Sequence, residues 1–348
     1  MKFLLYISYD YGFPIVRPLQ EEILKRGYQV AWFVEVEESK KKIQPTENLL
    51  NTVEDVLNYK ADVNLVACNE VPHFFPGIKV QVFHGIDFDK RGTGNKGHFN
   101  IRGFFDLYCT RGPASSVRFK ELEKKLKHFK VVQTGWSKLD PLFPIQNKIN
   151  EKPVIFIAST FTKSMSLAHN KDVFVEIKRL IKQNKWNWLI TLHPKMDEKI
   201  VEMFRSLEIE ANVKYIPALD NFKILKEADV MFSDTSSILI EFIVQKKPVV
   251  TFNNKNPKKH IINITEATDI EKSIEFALKR PKDLMAKIDE YINYIHPYSD
   301  GQSSKRVIDA VKLFLNNNEL ENLKSKPINL IRKFKIRKKL KYFNLFKK

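Results

Sequence analysis

Residues 229–241 read Asp-Val-Met-Phe-Ser-Asp-Thr-Ser-Ser-Ile-Leu-Ile-Glu. The apolar run 230–232 stops at Asp234-Thr235-Ser236-Ser237, and a second apolar-periodic stretch, 238–244, starts at once and carries Glu241. This pattern predicts a buried strand, a short polar turn and a helix with hydroxyls at its start. The first N–H groups of a helix lack intrahelical partners, and the helix dipole favours an anion beside them. Small hydroxyl residues let a phosphate approach those groups and add donors of their own. The same residue types also serve an ordinary N-cap.

Other candidate chemistry sits at predicted strand ends. His84-Gly85 follows the apolar run 80–83, and His193-Pro194 follows 188–192. In open α/β sheets ligands lie beyond the carboxyl ends of strands, so both imidazoles aim at the expected ligand side. A neutral imidazole there could take a proton from an acceptor hydroxyl, or simply position its loop. One such histidine per half suggests a pair meeting across an interdomain cleft. Asp87-Phe88-Asp89 matches the D-x-D pattern of metal-dependent sugar-nucleotide sites. Lys90, Arg91, Lys96 and His98 surround it, which favours anion contact over a metal. No metal and no cofactor is expected. Gly135-Trp136-Ser137-Lys138-Leu139-Asp140 follows another strand end and could line the cleft or the hinge. Asp300-Gly301-Gln302-Ser303-Ser304-Lys305-Arg306 runs into a helix, where hydroxyls and paired cations could hold a diphosphate. A plain capped helix fits those residues too.

The elements that must position these residues alternate. Strands are expected at 2–7, 29–34, 63–68, 80–83, 105–110 and 131–134, with helices at 17–26, 47–58 and 114–126. Pro141, Pro144 and the polar run 146–152 interrupt the pattern, which then restarts. Strands at 154–158, 188–192, 213–216, 230–232 and 249–252 alternate with helices at 173–183, 198–207, 222–227 and 238–244. Helices at 270–278 and 282–295 follow. Such alternation predicts α/β architecture, two Rossmann-like domains facing across a cleft. The expected boundaries are 1–145 for an acceptor-side domain, 152–315 for a nucleotide-donor domain and 316–348 for a tail.

A chain of 348 residues with 43% hydrophobic content suits two domains with real cores. Cys68 and Cys109 lie inside apolar runs and read as small core residues. No apolar stretch approaches the roughly 20 residues a spanning helix needs. The start, 1–7, lacks a following cleavage site and reads as the first strand, so a cytoplasmic location is expected. The net charge of +18 is concentrated in 324–348, which holds eleven Lys/Arg and no acid. Ile328, Leu330, Ile331, Phe334, Ile336, Leu340, Tyr342, Phe343, Leu345 and Phe346 interleave those cations. A basic amphipathic tail of this kind predicts peripheral attachment to an anionic membrane surface, on the inner face of the cell membrane. Nucleic acid, the other partner of basic runs, is not expected, because the apolar residues are many and no nucleic-acid motif accompanies them.

The ordered series His84-Gly85, Gly135 to Asp140, His193-Pro194, Asp234 to Ser237 with Glu241, and Asp300-Gly301 to Arg306 resembles the CDP-glycerol glycerophosphotransferases, the teichoic-acid primase and polymerase family. The resemblance covers about residues 80–310. It implies a GT-B fold and transfer of glycerol phosphate, or a related polyol phosphate, from CDP-glycerol to a hydroxyl of a lipid-linked acceptor, with release of CMP. It also implies essential histidines at His84 and His193. Donor-phosphate contacts are implied from Asp234, Thr235, Ser236 and Ser237 and from Ser303, Ser304 and Arg306, with Gly85, Lys90, Arg91, Gly135 and Glu241 as possible cleft contacts. A GT-B glycosyltransferase or a nucleotide-sugar epimerase using a UDP-sugar is the enzymatic alternative, since both place a diphosphate at the same strand–helix turn. A non-catalytic basic protein that binds membrane or nucleic acid is the other.

Overall fold

The computed structural model describes residues 1–85, 99–145, 150–217, 221–236 and 238–343. Ser237, and the loop residues Asp87, Asp89, Lys90, Arg91, Lys96 and His98 singled out above, lie outside the described residues.

Met1–Pro141 together with Ile295–Lys348 forms one compact unit, and Leu142–Tyr294 forms another. The first begins with β1 (Lys2–Ile7), α1 (Phe13–Lys25) and β2 (Gln29–Val34). It continues through α2 (Val53–Tyr59), β3 (Val63–Val66), β4 (Ile78–Gln81), β5 (Leu107–Thr110), α3 (Pro113–Leu126) and β6 (Lys130–Gln133). All strand pairs are parallel, in the order β2-β1-β3-β4-β5-β6. Helices cover both faces of such a sheet, so its strands read as unbroken apolar runs. Every residue of β3 and of β5 is buried. Local signals set the helix ends: Pro14 lies in the first turn of α1, and Thr52 with Asp55 closes a capping box on α2. Leu4, Val66, Phe83, Tyr108, Phe119 and Phe129 pack into this unit's core.

The second unit holds β7 (Val154–Ser159), α4 (Lys171–Lys182), β8 (Asn187–Leu192), α5 (Glu198–Arg205), β9 (Val213–Tyr215) and α6 (Asn221–Glu227). β10 (Val230–Ser233), α7 (Ile238–Ile243), β11 (Val249–Phe252), β12 (Ile262–Ile264), α8 (Ile270–Leu278) and α9 (Lys282–Ile295) complete it. Its sheet is also parallel throughout, in the order β12-β11-β10-β7-β8-β9. Trp188 and Phe232 are fully buried in its core; burying side chains of this size contributes roughly 1.5–3 kcal/mol each. The two-domain α/β class predicted by alternation is therefore what folds.

The chain then returns to the first unit with α10 (Ser303–Asn316) and α11 (Leu330–Lys339). The division expected at residue 315 differs from this arrangement. α10 packs against α1, and Arg26 pairs with Asp309 at 2.6 Å. The tail is no free appendage either. Ile336 and Tyr342 enter the first core, Lys326 pairs with Asp106 at 2.5 Å, and Lys339 pairs with Glu35.

In each sheet the strand order reverses at one point, between β1 and β3 in the first and between β7 and β10 in the second. Ligands of open α/β sheets bind beyond the carboxyl ends of the strands at such a switch point.

Candidate functional site

In the second unit the chain leaves β10 at Asp234, which is fully buried. Its carboxylate accepts from Ser159 Oγ (2.6 Å) and from the backbone N–H groups of Thr160 (3.0 Å), Leu167 (3.1 Å) and Thr235 (2.6 Å). Burial pushes its pKa up while these donors oppose the shift. Asp234 was expected to contact phosphate. It instead ties the end of β7 to the end of β10, and its oxygens are taken by protein donors. What this clamp leaves at the switch point is half-buried Thr160, Thr235 and Ser236. The helix behind them, α7, is six residues long and carries Glu241 on its buried side. Thr160 and Leu167 were missed by sequence reading, since their value depends on a carboxylate about 70 residues away.

His193 follows β8, the next strand along. Its N–H donates to Ser159 O at 3.2 Å, which extends the β7–β8 ladder past the strand end. Its Nδ1 lies 3.0 Å from the backbone N of Lys195. A backbone N–H can only donate, so Nδ1 is the acceptor and the neutral ring carries its proton on Nε2. Burial and the Lys195 cation push the imidazole pKa below its usual value, which favours that neutral form. The ring packs 4.5 Å from that of Phe161, on the loop after β7.

In the first unit, β4 ends at Gln81, two residues before the expected strand end, and Phe83 takes a left-handed conformation with φ 60°. Few aromatic residues adopt it, and the kink re-aims the next side chain. His84 Nδ1 lies 3.2 Å from Ala67 O, beyond β3. A carbonyl can only accept, so here Nδ1 carries the proton and Nε2 keeps its lone pair. The ring also lies 4.9 Å from Tyr11. Phe83 is further held by Trp136 Nε1–H, which donates to its carbonyl at 3.2 Å, and by the buried Arg111 guanidinium 5.1 Å from its ring.

Near this histidine lies a cavity of about 260 Å³ lined by Tyr6, Ser8, Tyr11, Glu35, Asn69 and Lys339, among others. Glu35, directly after β2, accepts from Tyr6 OH and pairs with Lys339. Burial pushes its pKa up against the Lys339 cation. It was legible as a strand-end acid but was not singled out.

The segment Asp300 to Arg306 departs most from expectation. The carboxylate of Asp140 accepts the N–H groups of Ser303 (2.8 Å) and Ser304 (2.7 Å) at the start of α10. That helix terminus already holds an anion, supplied by the protein itself. Ser303 and Ser304 are buried, and Arg306 pairs with Asp300 while lying 3.9 Å over the Tyr298 ring. Gly135, at φ 86°, lets the loop pass this close, since a Cβ there would sit 2.4 Å from Ser303 Oγ. The Gly135 to Asp140 motif and the Asp300 to Arg306 motif are thus one structural joint, in which a diphosphate would compete with Asp140. Among the described residues no three His, Cys, Asp or Glu side chains are grouped to hold a metal ion.

Comparison with known proteins adds three findings. A family model described as UDP-N-acetylglucosamine 2-epimerase matches residues 122–312. No curated protein matches the sequence. Among solved structures, the chain is similar to UDP-GlcNAc 2-epimerase from Neisseria meningitidis bound to UDP-GlcNAc, at 15% identity, with 90% of this chain and 100% of that one covered and a TM-score of 0.63. It is similar to the S. aureus MnaA–UDP co-structure at 15% identity, 90% and 97% coverage and a TM-score of 0.59. It is also similar to the wall teichoic acid polymerase TagF at 13% identity, 91% and 89% coverage and a TM-score of 0.63. At such identities these likenesses speak for the fold alone.

Proposed function

Because the chain belongs to the UDP-N-acetylglucosamine 2-epimerase family, we propose that it inverts C2 of a UDP-activated N-acetylhexosamine. The match over 122–312 carries this reading, and it overturns the expected transfer of glycerol phosphate from CDP-glycerol. The reason for that error is physical. The motif series that suggested it marks strand ends, a clamp and a helix joint, which the fold needs whatever the substrate. The likeness to the polymerase equals that to the Neisseria epimerase in TM-score, so shape does not separate the two chemistries.

Inversion at C2 breaks a C–H bond on one face of the sugar and makes it on the other. C2 has no carbonyl beside it, so the C–H electron pair forms a C1–C2 double bond as UDP leaves C1, and a proton added to C2 from the opposite face with return of UDP to C1 restores the bonds. The site therefore needs a proton acceptor, a proton donor and a hold on the departing UDP. His84, with its Nε2 lone pair, suits the acceptor. His193, with its proton on Nε2, suits donation toward an anionic oxygen of the sugar nucleotide. Thr160, Thr235 and Ser236 lie where β7 and β10 reverse the strand order, and we assign them to the diphosphate. His193 is one strand further along, about 4.8 Å in sheet spacing. Ser237, Lys90 and Arg91 remain proposals from sequence.

The test is incubation of the purified chain with UDP-GlcNAc, with proton NMR of the sugar. The reading expects the C2 epimer to appear with UDP still attached to part of the pool. No change in UDP-GlcNAc under conditions where the protein stays folded would refute it.

A further inference from the structure

The C-terminal segment has two faces, and the catalytic reading uses neither. Its inward face is ordinary core: Ile336 and Tyr342 are each 7% exposed, and the Tyr342 ring stacks 5.0 Å from Phe74. The outward face of α11 is different. Leu330 is 71% exposed, Ile331 74% and Phe334 58%. At about 100° per residue these three lie opposite Ile336, so the exposure is a continuous stripe and not scatter. Phe343 extends it, with its ring 6.1 Å from that of Phe334, and Ile328 stands just before it. Lys335, Lys338 and Lys341 are exposed on or beside this stripe. No acid occurs anywhere in 324–348 to neutralise them.

We propose that the outward face of α11 with its flanks is a docking surface for an anionic lipid bilayer, with Leu330, Ile331, Phe334 and Phe343 entering the interface and the lysines meeting lipid headgroups. Charge selects this occupant. A second copy would bring Lys335, Lys338 and Lys341 against their own equivalents. Nucleic acid would satisfy the lysines but leave aliphatic Leu330 and Ile331 against a polar backbone. An anionic bilayer offers headgroup charge and hydrocarbon at the depths where this face has cations and apolar side chains. Because α11 is pinned by Ile336, Tyr342 and the Lys339–Glu35 pair, the face is presented preformed. No described helix is long and apolar enough to cross a membrane, so the attachment is peripheral. The inference is independent of the epimerase reading.

Sedimentation of the full chain with vesicles tests it, using phosphatidylglycerol mixed with phosphatidylcholine against phosphatidylcholine alone. The protein should partition onto the anionic vesicles only, and salt should weaken the binding. Changing Lys335, Lys338 and Lys341 together to Gln should cost about fivefold per cation. The variant Leu330→Ser/Ile331→Ser/Phe334→Ser should lose roughly tenfold or more while its thermal unfolding stays unchanged, because those side chains are already exposed. The proposal is overturned by equal partition onto both vesicles, or by none onto either. It is also overturned if the apolar variant keeps full vesicle binding, if it instead dissociates a dimer, or if single-stranded nucleic acid competes fully with vesicles.

Discussion

His193 directly follows β8 and His84 lies three residues beyond the end of β4, and their backbone partners give them opposite proton positions. A carbonyl at Nδ1 leaves His84 a base, and an N–H at Nδ1 leaves His193 a donor. Their replacements should therefore fail differently. His84→Ala should lower kcat on UDP-GlcNAc about 100-fold with little change in KM, as expected for a positioned proton acceptor. His193→Ala should raise KM roughly tenfold through a lost charge-assisted hydrogen bond. Steady-state kinetics on both variants checks this, and identical losses in kcat and KM would contradict the distinct roles. A third histidine contributes to the acid limit of the fold, beside His73 and His260, whose pKa values burial also pushes down to about 4. His296 is 1% exposed, its Nε2 accepts the Trp136 N–H at 3.0 Å, and burial pushes its pKa down to about 4. Its folded pKa is below the unfolded one, so the unfolded chain takes up the proton first. Stability is intact above about pH 6.5 and falls as the pH drops from there toward about 4. The contribution is on the order of 3 kcal/mol at most. His296→Gln, whose amide oxygen can accept the same N–H, should reduce that acid slope in thermal unfolding, leaving the share of His73 and His260. An unchanged slope would place the acid sensitivity elsewhere.

At the scale of elements, two carboxylates act as fasteners. Asp234 joins the ends of β7 and β10, and Asp140 caps α10. Asp140→Ala removes two charge-assisted bonds from otherwise unpaired helix N–H groups and should cost about 1–3 kcal/mol, read by denaturant unfolding. If the Asp300 to Arg306 segment were instead the diphosphate site, the same change would tighten UDP binding by removing a repelling charge. Stability and calorimetric affinity together separate the two. These fasteners explain what could be read in advance. The strands were legible because a parallel sheet buried on both faces demands unbroken apolar runs, and the turns because polar clusters end them. The three-residue β12 was not read as a strand. The Asp140–Ser303 joint was not legible either, since its partners are 163 residues apart and each alone looks like a plain cap or a phosphate loop. The tail's amphipathic character was readable, but not which of its apolar residues the first unit would bury.

For the whole molecule, the family points to one chemistry while the motif series pointed to another. His193 lies directly after β8 and His84 three residues past β4, but the nature of the transferred group was never written in the motifs. Both phosphate transfer and sugar epimerisation need an anion held near a strand end, and open α/β sheets in general offer that place to either. The two differ at one bond. Epimerisation at C2 must break and remake a C–H bond, so the incoming proton comes from a group that can exchange with solvent, whereas phosphate transfer leaves every C–H bond of the sugar intact. The most direct measurement is therefore incubation of the purified chain with UDP-GlcNAc in D₂O, followed by NMR and mass spectrometry of the recovered sugar nucleotide. The expected product is a C2-epimeric UDP-sugar carrying deuterium at C2, with both signals lost in His84→Ala. UDP-GlcNAc recovered unepimerised and with hydrogen still at C2 would contradict it.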